Sequence, residues 1–117
     1  MKILILSFFL LSFSFLFSQG NLQFNQVLNI EFTGTSTTSY TVPAGKIWKL
    51  ENVLLTSLNF YACMSYNGTT YYLRQHNTSS SSWDNFPFWF GGGKTMIFGG
   101  GGCSAGMISI IEFNVVP

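Results

Sequence analysis

The chain has 117 residues and nine charged side chains, five basic and four acidic, while 47 % of its residues are hydrophobic and 18 % aromatic. A charged share of 8 %, against roughly 25 % in ordinary globular proteins, excludes a nucleic-acid binder that works by neutralising phosphates, which needs a basic patch. The apolar content equally excludes a chain held disordered by charge repulsion.

Residues Met1 to Ser18 carry one charge, Lys2, ahead of an apolar run from Ile3 to Phe17 broken only by Ser7, Ser12 and Ser14. A basic tip, an apolar stretch and then small polar residues describe a secretory signal peptide. The run is too short for a membrane span of about 20 residues. Removing residues 1–18 from 117 leaves 99, a single domain over 19–117. There Lys46, Lys49, Arg74 and Lys94 balance Glu31, Glu51, Asp84 and Glu112, so the net charge is zero. The expectation is a secreted protein, extracellular or periplasmic, with no membrane span once the signal is gone. Neither cysteine sits at the cleavage site, so no lipid anchor is expected.

Period-two alternation dominates the rest of the chain and argues for strands. Leu28, Ile30 and Phe32 alternate with Asn29, Glu31 and Thr33 as a half-buried strand. Tyr40 and Val42 lead into Pro43-Ala44-Gly45, a tight turn by its residues. From Lys46 the pattern puts Trp48, Leu50 and Leu54 on one face and Ile47, Lys49, Glu51 and Val53 on the other. Asn59 to Tyr66 and Thr69 to Gln75 flank Asn67-Gly68, a strong hairpin signal because both central residues of a type I′ turn need φ > 0. His76 to Asn85 reads as a polar loop. Phe86 to Phe90 is an aromatic strand whose Pro87 places it at a sheet edge or a strand start. Gly91-Gly92-Gly93 turns into Lys94 to Phe98, and Gly99 to Gly102 make a second loop. Met107 to Val116 is apolar on both faces apart from Ser109, Glu112 and Asn114, which suits a central strand. About eight short, mostly antiparallel strands separated by turns predict an all-β fold, a single jelly-roll-like β-sandwich.

Two strand–turn–strand segments echo each other, with Lys46 and Lys94 restarting the chain 48 positions apart. They read either as two similar halves of a sandwich or as two unrelated turns. Cys63 and Cys103 are permitted a disulfide in an exported chain. Closing that loop of about 40 residues would stabilise by roughly 4 kcal/mol on the chain-entropy account. Two free thiols, one buried and one in a glycine loop, are the alternative.

Tests for chemistry are mostly negative. Gly93-Lys94-Thr95 lacks the glycine five residues earlier that a phosphate-binding loop needs, because position 88 is Phe. Gly100, Gly102 and Ala105 fit a dinucleotide fingerprint only nominally, since a strand follows where a helix is required. One His and four carboxylates suggest no triad and no zinc or copper site. Glu31, Glu51 and Glu112 read as outward-facing, solvated carboxylates that deter edge pairing. No catalytic residue, cofactor or metal is expected.

One region rises above that background. Tyr71, Tyr72, Trp83 and Trp89 lie close in sequence to Arg74, His76 and Asp84. Rings in that number read first as ordinary core; beside amide, carboxylate and guanidinium groups they also suit a protein contact, where Trp, Tyr and Arg dominate, or a carbohydrate platform. Phe86, Phe88 and Phe90, at alternate positions, read as core.

At Ser39-Tyr40-Thr41-Val42-Pro43-Ala44-Gly45-Lys46-Ile47-Trp48-Lys49 and at Ile108 to Asn114 the chain resembles a group of small, largely uncharacterised exported β-sandwich proteins of Gram-negative bacteria. The Thr-Val-Pro-Ala-Gly entry and the glycine run at Gly99 to Gly102 also resemble phage tail-fibre tip sandwiches. The resemblance implies a secreted β-sandwich and transfers no catalytic residue. The second turn departs from the pattern, with three glycines where Pro-Ala-Gly would stand. The sequence therefore favours a non-enzymatic module acting by surface contact, adhesive or structural, as a homo-oligomer or against another surface protein. A carbohydrate-binding module is the alternative.

Overall fold

In the computed structural model, residues 21–57, 60–76 and 82–117 are described, and among them nine strands and no helix form two antiparallel sheets. The segment 1–18 expected to be a signal, most of the Ser79 to Ser82 run, the start of the strand expected at Asn59 and the side chain of His76 lie outside the described residues. The strands are β1 (Asn21–Phe32), β2 (Ser39–Thr41), β3 (Lys46–Leu55), β4 (Phe60–Tyr66), β5 (Thr69–His76), β6 (Trp83–Asp84), β7 (Phe88–Gly91), β8 (Thr95–Phe98) and β9 (Gly106–Val116). Sheet A has the order β1-β9-β3-β7 and sheet B the order β2-β8-β4-β5-β6.

The pairing is that of a ribbon folded back on itself. β1 pairs with β9, β2 with β8 and β3 with β7, and the β4–β5 hairpin forms the tip. Further pairing of β3 with β9 and of β4 with β8 closes the wound ribbon into two sheets. Apart from the two-residue β6, this is the winding of a jelly roll. At the hairpin tip Asn67 and Gly68 both have positive φ, 51° and 74°, as a type I′ turn requires.

The two echoing turns are the corners where the ribbon passes between sheets. One carries the chain from β2 to β3 through Pro43-Ala44-Gly45, the other from β7 to β8 through Gly91-Gly92-Gly93. They bond to each other: the Gly93 amide donates to the Val42 carbonyl at 2.8 Å and the Val42 amide to the Lys94 carbonyl at 2.9 Å. A Cβ on Gly92 would stand 2.9 Å from the Pro43 carbonyl oxygen. The second corner departs from Pro-Ala-Gly because a side chain there would collide with the first.

The core lies between the sheets. Trp48, Leu50, Val53, Ile108 and Ile110 of sheet A meet Ala62, Met64, Leu73, Met96 and Phe98 of sheet B, with Phe32 and Val42 at its margins. Phe86, Phe88 and Phe90 pack against it from one side, as their alternate spacing predicts. β7 is an edge strand starting directly after Pro87, and β9 lies centrally between β1 and β3.

Three expectations are corrected. In β3 the register shifts between Leu50 and Asn52, and this bulge moves Val53 into the core beside Trp48 and Leu50 while Leu54 turns to solvent; an extra residue reverses the alternation beyond it. Trp83 and Asp84, expected in a loop, form β6 against β5. Glu112, expected to face water, shares the inward side of β9 with Ile108 and Ile110 and is 3 % exposed.

Candidate functional site

The residues expected to cluster separate into two places. Tyr71, Tyr72, Arg74 and His76 are on β5 and Trp83 and Asp84 on β6, all in sheet B. Trp89 belongs to β7 at the edge of sheet A. Sequence proximity misleads here because Asn85 to Pro87 carry the chain from one sheet to the other.

On sheet B, Tyr61, Gln75 and Trp83 sit opposite one another across β4, β5 and β6. The Trp83 Nε1–H donates to Gln75 Oε1 at 2.7 Å, which fixes the indole. The Tyr61 and Tyr72 rings meet edge-on at 5.4 Å between centroids. Tyr72 is 52 % exposed and Trp83 37 %, so both offer aromatic surface to solvent. Tyr71 is exposed too, but as the neighbour of Tyr72 it points to the other side of β5.

Beside this row an open cleft of about 580 Å³ lies between the end of β3 and the β5–β6 edge, lined by Leu54, Leu55, Ser57, Arg74, Gln75, Ser82, Trp83 and Asp84. Arg74 reaches across the sheets: its Nη1 donates to the Val53 carbonyl at 2.6 Å, and its Nη2 lies 3.4 Å from Asp84 Oδ2. The carbonyl and the carboxylate hold the guanidinium at the mouth of the cleft.

Trp89 takes part in a different surface. Residues directly paired across a sheet point the same way, so the outer face of sheet A can be read from its register. One row is Phe24, Phe113 and Ile47, and the next is Val27, Ile111, Lys49 and Trp89. Leu22 and Val115 pair just beyond. Trp89 stacks on Phe113 with centroids 5.8 Å apart and an interplanar angle of 25°, and Lys49 Nζ stands 5.5 Å from the Trp89 ring centroid. Phe24 is 64 % exposed, Val27 54 % and Trp89 51 %. Below these rows Asn29, Ser109 and Asn52 form a polar band, with Ser109 Oγ and Asn29 Oδ1 bonded at 2.8 Å. A contiguous apolar face of this kind is characteristic of a contact surface. Phe24, Val27 and Phe113 carry no mark of this face in the sequence, because their adjacency exists only once β1, β9 and β3 are paired.

The third feature is the carboxylate of Glu112. Its Oε2 accepts from Trp48 Nε1 at 2.7 Å, and its Oε1 accepts from Asn25 Nδ2 at 2.6 Å and Gln26 Nε2 at 3.0 Å. Burial pushes the carboxyl pKa up, but the three hydrogen bonds and the charge of Lys46 outweigh it and hold Glu112 below its ordinary value. Lys46 is in turn bonded to Asn114 Oδ1. Glu112 therefore ties β1 and β3 to the central strand as an anion. Its oxygens are occupied from within, which leaves it poorly placed for acid–base chemistry.

Cys63 and Cys103 are bonded as a disulfide, with Cα atoms 6.1 Å apart. The bridge fixes the Gly99–Gly102 loop over β4, where the Gly99 amide donates to the Cys63 carbonyl at 2.9 Å and the Ser104 amide to that of Tyr61 at 3.0 Å. A stable disulfide fits an oxidising compartment. Among the described residues no helix is long and apolar enough to cross a membrane, and no group of three or more His, Cys, Asp or Glu is placed to hold a metal.

No protein-family model matches the chain, and no curated protein or solved structure matches it.

Proposed function

We propose that this protein is an exported, non-enzymatic β-sandwich that acts by surface contact, as an adhesive or structural component that self-associates through the outer face of sheet A. The observation that carries the reading is the pair of rows led by Phe24 and Val27 and running to Trp89 across the four strands, with Phe24, Val27 and Trp89 open to solvent and Ile47, Ile111 and Phe113 half-buried between them. Burying apolar surface is worth roughly 25 cal/mol per Å², and a face this continuous is seldom left to water.

A second copy of the chain is the partner that suits it. The cation of the face, Lys49, is already paired with Glu51 at 2.7 Å. The net charge of 19–117 is zero, so copies meet without repulsion. A two-fold axis laying the patch on itself would match apolar row to apolar row. Further support comes from three of the four carboxylates of 19–117: Glu51 is paired with Lys49, Asp84 with Arg74, and Glu112 with Trp48, Asn25 and Gln26. The disulfide and the signal-like segment support export. Sedimentation of the chain with and without an intact sheet A face tests the reading, with the substitutions given in the Discussion.

A further inference from the structure

We infer that β1 is a pairing edge: two copies of the chain join antiparallel along Gln26–Phe32, β1 against β1, and extend sheet A from one copy into the other. This contact is separate from the outer face of sheet A. In its consequences for assembly it rests on the face-to-face reading.

The first observation is the contrast among the four sheet edges. β2, β6 and β7 end their sheets with only Ser39–Thr41, Trp83–Asp84 and Phe88–Gly91, the last directly after Pro87. Short strands and proline are ordinary means of keeping an edge from recruiting another chain. β1 runs from Asn21 to Phe32, and among the described residues it pairs with β9 alone. It carries no Lys, Arg or Pro, and its single charge is Glu31. Alternate backbone N–H and C=O groups along it therefore point away from the sheet with no strand to meet them.

The second is the state of its inward side chains. Leu28 and Ile30 pair with Ile110 and Ile108 of β9 and so share their side of the sheet. Ile108 and Ile110 are fully buried, whereas Leu28 and Ile30 are only half-buried. The inner apolar layer runs out at β1 with its last members partly wet. A strand added there covers them.

The third is self-complementarity. The register shifts between Phe24 and Gln26, and a bulge bends its strand and disrupts the ladder, which confines pairing to the unbroken stretch Gln26–Phe32. Laid antiparallel on its own copy, that stretch is centred on Asn29. Asn29 then meets Asn29, Leu28 meets Ile30 of the second copy, and Val27 meets its Glu31. Facing residues point to the same side in every pair, so Leu28 and Ile30 of both copies form one inner layer. Glu31 opposes any register that brings the two carboxylates together. Centred on Asn29 they stand four positions apart, about 13 Å at roughly 3.4 Å per residue, beyond the screening length of about 8 Å in physiological salt. The two-fold relation closes the contact on itself, so a second copy is the partner that fits.

One strand against one strand falls in the weak class of interfaces, under roughly 1,200 Å². Alone it holds copies loosely. Between copies already joined through their sheet A faces, it links dimers into larger species.

The test is equilibrium sedimentation of the chain over residues 19–117 beside Asn29→Asp, Asn29→Lys and an equimolar mixture of the two, with amide hydrogen exchange measured on the same samples. Asn29 is exposed and lies in the polar band outside the apolar rows. Each substitution puts like charges opposite each other at the two-fold axis, which destabilises a strand pair. Asp keeps the acceptor that Ser109 uses, so Asn29→Asp keeps the test decisive should Asn29→Lys misfold, and thermal melts check both. We expect the parent to grow beyond a dimer as concentration rises. Each variant should need about tenfold more protein or beyond to do so, and the mixture should recover the parent's behaviour. Exchange over Gln26–Phe32 should slow with concentration in the parent and in neither variant. Variants that grow as readily as the parent, or exchange there that stays unchanged while the parent assembles, would overturn the inference. A parent that stops at a dimer abolished by Phe24→Ser/Trp89→Ser overturns the edge contact and leaves the face reading intact. Dimers that survive that double substitution but are lost with Asn29→Asp support the edge contact and contradict the face reading.

Discussion

Trp48 donates its indole N–H to Glu112 at 2.7 Å inside the sandwich, joining β3 to β9 through a buried carboxylate in a chain with very few charges. Asn25 and Gln26 of β1 converge on the same group. Glu112 thus gathers side-chain hydrogen bonds from both strands that flank β9.

Because Glu112 is held below its ordinary pKa, its contribution to stability is complete above the unfolded-state value of about 4.3 and is lost as pH falls through the lower folded-state value. The melting temperature should therefore fall as the solution is acidified below about pH 4.3, and Glu112→Gln should flatten that fall. At pH 7, Glu112→Ala should cost about 1–3 kcal/mol, since the buried Trp48 donor loses its partner while Asn25 and Gln26 can turn to water. Calorimetric melts across pH check both.

Reducing the Cys63–Cys103 bridge reopens a loop spanning a sequence separation of 40, which should cost about 4 kcal/mol. For a domain of this size that corresponds to a drop of roughly 15–30 °C in melting temperature. Melts with and without reductant, and of the Cys63→Ala/Cys103→Ala double variant, should agree.

Two glycines in the loop under that bridge should respond differently to alanine. Gly99 has φ 75° and a Cβ there would strike the Thr33 carbonyl oxygen and the Phe32 ring. Gly101 has φ 60° and open space. Gly101→Ala should cost about 1 kcal/mol from backbone conformation alone, and Gly99→Ala at least twice that. Denaturant titrations measure the difference.

Local chemistry was the most readable layer of this sequence. Asn67-Gly68 announced its hairpin, Pro87 its edge strand, and the apolar run of Met107 to Val116 its central position. The jelly-roll winding follows from those strands together with two corners rich in small residues. Phase was harder to read, because a bulge inserts a residue without any compositional mark. Alternation counted straight through Glu51 therefore put Val53 outside and Leu54 inside. The structure reverses the two, so Val53→Ala should cost about 1–2 kcal/mol and Leu54→Ala less than 0.5 kcal/mol.

The candidate sites were legible only in part. Arg74 meets Asp84, and Gln75 meets Trp83, because β5 and β6 are neighbours in both sequence and space, but the two pairs face opposite sides of the sheet. Trp89 does not join them, since three residues suffice to move the chain to the other sheet. The partners of Glu112 lie 64, 86 and 87 positions away in sequence, and Phe24 meets Phe113 only through the pairing of the first strand with the last. No pattern within a single strand encodes such contacts.

The central claim is that the outer face of sheet A joins copies of the chain. Equilibrium sedimentation of the chain over residues 19–117, beside a Phe24→Ser/Trp89→Ser variant, measures this directly. Both positions are solvent-exposed, so the variant should fold and melt within about 1 kcal/mol of the parent. The account predicts a dimer or larger species for the parent chain and a monomer for the variant. A parent chain that stays monomeric at high concentration, or a variant that associates as strongly as the parent, would contradict it.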